Sequence, residues 1–99
     1  MGETCEQLTQ IGLGGEDLQP FHSVLVRSPF AWHVILIDLP AYSCPAVGER
    51  HPVGMKTLDG RVLAGSVTTE VVTSTMNGSY VLLTGIGQLT NGDGRRAAA

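Results

Sequence analysis

The residues best suited to chemistry lie in one proline-framed stretch. Tyr42, Ser43 and Cys44 are followed by Glu49 and His51, all between Pro40 and Pro52. A cysteine attacks or binds metal as its thiolate, and a neighbouring imidazole can take the proton. Asp38 or Glu49 could orient that imidazole. Cys44, Glu49 and His51 are therefore the candidate loop site for a thiol enzyme or a metal-binding protein. The spacing argues against both. Zinc ligands come as close pairs such as Cys-x2-Cys, whereas six residues separate Cys44 from His51 and no second close pair exists. His22, His33 and Cys5 would have to be brought in by folding. No cofactor, no metal and no catalytic set is expected. Cys44 reads as a small buried residue and His51 as a solvent-facing one. Cys5 and Cys44 read as two reduced thiols.

Other motifs are weaker. Gly85-Ile86-Gly87 follows an apolar run, as a phosphate loop does, but no helix-length pattern follows to supply an N-terminus for the phosphate. Asp59 is explained by its turn. Asp38 closes an apolar run, and Glu70 is an isolated charge.

The charge content narrows the partners. Of 99 residues, 15% are charged and 42% are hydrophobic. An average globular domain is roughly 25% charged. Net charge is −3, and the six basic residues are scattered apart from Arg95-Arg96. A nucleic-acid binder ordinarily carries a basic stripe that displaces counterions from phosphates. Nucleic acid is thus an unexpected partner. No apolar run approaches the ~20 residues that span a bilayer, and the first ten residues lack the apolar core of a secretory signal. A cytoplasmic protein, or one inside an assembled particle, is expected, with no membrane partner.

Positioning these residues requires the elements. The expected fold class is all-β: a small antiparallel β-barrel or sandwich of about six strands, an SH3-like barrel being one form, with a short N-terminal helical segment. Residues 1–20 read as that helical and loop segment, ended by Gly12, Gly14 and Gly15, because glycine is costly inside a helix. Residues 21–88 read as the β-domain, and 89–99 as a flexible Gly/Ala/Arg tail. Phe21 to Arg27 alternates loosely. Trp32 to Leu39 is nearly all apolar and β-branched, which predicts a central strand buried on both faces. Asp59-Gly60 and Asn77-Gly78 predict two hairpins closed by two-residue turns. Such turns place Thr57 opposite Val62, and Thr75 opposite Tyr80.

The run from Asp59 to Val67, Asp-Gly-Arg-Val-Leu-Ala-Gly-Ser-Val, resembles the bent hairpin of SH3-like small barrels. Sm-like RNA-binding proteins and PRC-barrel domains carry a similar stretch. The resemblance covers about a tenth of the chain. It implies a small barrel and, in the Sm-like case, an acid and an asparagine that help bind RNA bases. Glu70 and Asn77 are the nearest positions. The later Arg-Gly element of that family is replaced by Thr84-Gly85.

Between Val62 and Gly92 the only charge is Glu70. Strands with so little charge suit surfaces covered by other protein. The expected function is a non-enzymatic structural, assembly or protein-interaction module that self-associates, for example as part of a viral or phage particle. Its partner is then itself or another protein. Phe21, Phe30, Trp32 and Tyr42 are the candidate interface anchors, since aromatic residues dominate interface energetics. The alternatives are an Sm-like RNA binder and a Cys/His thiol enzyme or metal protein.

Overall fold

The computed structural model describes residues 2–91. Seven strands account for most of them: β1 (Thr4–Leu13), β2 (Glu16–Leu18), β3 (His22–Arg27), β4 (Trp32–Leu39), β5 (Arg50–Thr57), β6 (Val62–Thr75) and β7 (Gly78–Asn91). A single 3-10 turn, Ala41–Ser43, follows β4. Every pairing is antiparallel, in the order β2-β1-β3-β4-β7-β6-β5. A further pairing of β1 with β5 closes six strands into a barrel and leaves β2 outside it. Closure removes most of the unpaired strand edges that an open sheet exposes. No helix among the described residues is long and apolar enough to cross a membrane.

The expected N-terminal helical segment is corrected: Thr4–Leu13 is a ten-residue strand. Leu8, Ile11 and Leu13 are its buried residues, the inward positions shifting by one at the irregularity between Leu8 and Gln10. No local signal separated this from a helix, because Leu8 and Ile11 also fit a helical spacing of three. What selects the strand is closure: Leu8 to Leu13 supplies the edge that β5 needs. Gly14 and Gly15 still terminate the element, as a positive-φ turn into β2. The division at residue 20 therefore does not separate a segment from the β-domain. Likewise β7 runs on through Asn91, so 89–91 belong to the barrel; 92–99 lie outside the described residues.

The core fills the barrel interior. Leu25, Val34, Leu36, Leu39, Val67, Val81 and Leu83 are all fully buried. On β4, buried residues alternate with half-buried ones, so this strand has one core face and one partly covered face rather than two equal ones.

Both hairpin registers differ from the sequence expectation. In the first, Lys56 faces Val62 and Met55 faces Leu63. Thr57 and Arg61 close a three-residue loop, Leu58-Asp59-Gly60: the Thr57 amide donates to the Arg61 carbonyl at 2.9 Å, and the Gly60 amide to the Thr57 carbonyl at 3.0 Å. Gly60 sits at φ +94°, the left-handed position that ends such a three-residue loop. In the second, Thr75 faces Gly78 and Thr73 faces Tyr80, so the turn residues are Met76 and Asn77. Gly78 is held against β4, where a Cβ would lie 2.6 Å from the Leu39 carbonyl oxygen. That close approach assigns Gly78 to the strand. The second strand of the first hairpin and the first strand of the second are one continuous strand, β6, which carries a bulge between Thr69 and Val71.

Candidate functional site

Strand direction sorts the loops to two ends of the barrel. The ends of β3 and β5, the start of β4 and the Leu58-Asp59-Gly60 loop lie at one end. The start of β3, the end of β4, the Ala41–Ser43 turn and the β6–β7 tip lie at the other.

At the first end Trp32 lies inward. It is 6% exposed, so it is corrected from an interface anchor to a core residue. Its indole covers the backbone of β6 and β7: a Cβ on Gly85 would fall 2.2 Å from the ring, and one on Gly65 would fall 2.9 Å from it. The indole nitrogen donates to the Gly87 carbonyl at 2.9 Å. Gly87 has φ +70° and opens the irregular stretch of β7 that presents this carbonyl. The signal for the buried role was present in the sequence, since a glycine inside a strand often marks a close approach of another group.

Charged groups ring the same end. Glu6 pairs with Arg27 at 3.8 Å and also with Arg61, and the Arg61 Nε lies 3.2 Å from Asp59. The Thr57 hydroxyl donates to Asp59 and accepts the Arg61 amide at 3.0 Å. Hydrogen bonds from Thr57 and Arg61 hold the Asp59 carboxyl below its ordinary range. Asp59 in turn raises the Arg61 guanidinium. The contacts of Thr57, Asp59 and Arg61 brace the hairpin loop.

The loop candidates do not form one cluster. Cys44 is half-buried against the core, with its Sγ 3.6 Å from the Pro40 carbonyl. His51 sits on β5 rather than in the loop, and its Nε2 lies 3.1 Å from Glu49 Oε1. No hydrogen bond joins Cys44 to His51 among the described residues. No group of three His, Cys, Asp or Glu close enough to hold a metal occurs among them either. Cys5 and Cys44 are free thiols. His22 is exposed with its ring against Phe21, while His33 is half-buried on β4. Glu70 accepts from the Thr84 hydroxyl at 3.1 Å, and Asn77 is at the hairpin tip, so the two positions implied by the Sm-like resemblance stand apart.

The second end gathers apolar side chains. Phe21 is 73% exposed, Tyr42 91% and Met76 96%. They come from three loops that meet around the end of β4. The Phe21 amide donates to the Ile37 carbonyl at 2.9 Å, and the Ser43 amide to the Pro40 carbonyl at 2.9 Å. The Thr75 hydroxyl, beside Met76, donates to Asp38 at 3.0 Å. Asp38 is the only described non-glycine residue with positive φ, 56°, where β4 bulges against β7. Gln19, Phe21, Asp38 and Asn77 line an open hollow of 450 Å³. Phe30, 96% exposed, and Leu58, 68% exposed, lie in two loops at the opposite end. Met76 was not singled out in the sequence, because a methionine preceding Asn-Gly reads as the last residue of a strand. A further hollow of about 510 Å³ is on the outer wall, where Gly12 and Gly54 face each other across β1 and β5. No family model, curated protein or solved structure matches the chain.

Proposed function

We propose that this barrel is a non-catalytic protein-interaction module that self-associates through the end carrying Phe21, Tyr42 and Met76. The observation that carries the reading is the exposure of three large apolar side chains at one end of a closed barrel. Isolated exposed apolar residues are ordinary, but a group at one end is the usual mark of a contact surface. Phe21 and Tyr42 also have the rigid rings that anchor interfaces at low entropic cost. The remaining chemistry favours binding over catalysis. The half-buried thiol is tied to a backbone carbonyl, and the imidazole is paired with the Glu49 carboxylate just before its strand.

The test is sedimentation over a concentration series, comparing wild type with Phe21→Ser/Tyr42→Ser/Met76→Ser. Wild type should associate and the variant should remain monomeric. Both should melt within about 0.5 kcal/mol of each other per exposed site. A wild type that stays monomeric at millimolar concentration would overturn the reading.

A further inference from the structure

The far half of β6 leaves one sheet edge open. From Val62 to Thr68 this strand lies between β5 and β7. At Thr69 the edge is still covered: the Gly48 amide donates to its carbonyl at 2.8 Å, and its own amide donates to Glu49 at 2.9 Å. Beyond it, Val71 to Thr75 pairs with β7 alone among the described residues. β7 itself is flanked there by β4, so this segment is the outer strand of a continuous three-stranded sheet.

Proteins normally protect such an edge with a charge, a proline or a bulge. The other edges here carry that protection. β2, outside the barrel, presents Glu16 and Asp17, and the free end of β7 is broken by positive-φ Gly87. Val71-Val72-Thr73-Ser74-Thr75 carries none of these devices: it has no charge and no proline, and the β6 bulge precedes it. Four of its five residues are β-branched, which suits strand pairing. An extended backbone laid along an open edge pairs with its hydrogen-bonding groups as an added strand.

We infer that this edge pairs with the same edge of a second copy of the chain, antiparallel about a two-fold axis at Thr73. This deepens the self-association reading and rests on it. A second copy fits because the segment is self-complementary. Centring on Thr73 sets Thr73 against Thr73, Val72 against Ser74 and Val71 against Thr75. Threonine pairs across strands are favourable. Glu70 then falls opposite the partner's Met76 rather than opposite Glu70, so the one charge on β6 does not face its own copy. Isologous contacts of this kind close at a dimer. The side chain of Thr73 is exposed, while that of Val72 packs toward the core, so position 73 can be changed without disturbing the barrel.

The experiment uses Thr73→Lys and Thr73→Glu, each alone and mixed one to one, followed by sedimentation and thermal melting. Each variant alone places like charges directly opposite each other, and association should weaken about tenfold or more with the melt unchanged. The mixture should regain association as a heterodimer. Two variants that dissociate while their mixture also fails to associate would overturn the pairing. So would two variants that associate as wild type does. In that last case, dissociation of the Phe21→Ser/Tyr42→Ser/Met76→Ser variant would leave the apolar-end reading standing. A wild type monomeric at millimolar concentration would overturn both.

Discussion

The two ends of the barrel use their polar groups differently. At the Trp32 end nearly every group is engaged. The indole donates to Gly87, the Thr57 hydroxyl both donates and accepts, and Glu6, Arg27, Asp59 and Arg61 form linked pairs. Where β6 leaves β5 for the other end, Thr69 is buried as deeply as Thr57, yet its hydroxyl has no partner. Beyond Thr69 the strand edge is open and apolar side chains face water. A closed, braced end stabilises the monomer. An end that keeps unmet groups and exposed apolar surface is where a second chain gains most by docking.

The comparison breaks most sharply at Trp32. Trp32→Ala empties the space above Gly65 and Gly85 and should cost about 3–5 kcal/mol in chemical denaturation. A loss below 1 kcal/mol would mean that the indole does not seal that end. Next come the two buried threonines, which should respond in opposite directions to the same change. Thr57→Val removes the partner of the Arg61 amide and of Asp59, and should destabilise by about 1–3 kcal/mol. Thr69→Val removes a hydroxyl that bonds to nothing in the barrel, and should be neutral or stabilise by about 1 kcal/mol. Equal losses at both sites would erase the distinction between the ends.

The smallest effect concerns pH. Asp59 titrates below its ordinary value of 3.8. A carboxylate whose folded pKa is depressed adds stability above its unfolded pKa, and that contribution is lost as pH falls through the folded value. Asp59→Asn should therefore melt slightly below wild type at neutral pH, and the gap should close as pH drops below 3.8. A gap that persists at low pH would assign the difference to the loop backbone instead.

Much of the fold could be read from local pattern. Trp32–Leu39 and the strand before it, His22–Arg27, were recognisable from apolar runs bounded by proline and glycine. So were both hairpins, from Asp-Gly and Asn-Gly. The turn residues marked where the chain reverses but not which residues face each other. Gly60 and Gly78 each moved a register, Gly60 by closing a three-residue loop in place of a two-residue turn and Gly78 by its close approach to β4. The aromatic candidates divided in the same way. Phe21, Phe30 and Tyr42 are exposed, whereas Trp32 turned inward because two strand glycines made room for it. Of the loop candidates, Glu49 and His51 pair with each other, while Cys44 turns to the Pro40 carbonyl and joins neither by a hydrogen bond.

By itself the sequence determined the class: a weakly charged, all-β chain with its strands expected within residues 21–88 and no cluster of chemical residues at ligand spacing. Periodicity, turn residues and charge are local properties, so they survive without the fold. Only the tertiary structure decided that Thr4–Leu13 is a strand, that six strands close while β2 stays outside, and that one edge of β6 is left open. These depend on which strand meets which across the barrel. A short segment that suits both helix and strand takes the form that satisfies the backbone of its neighbours.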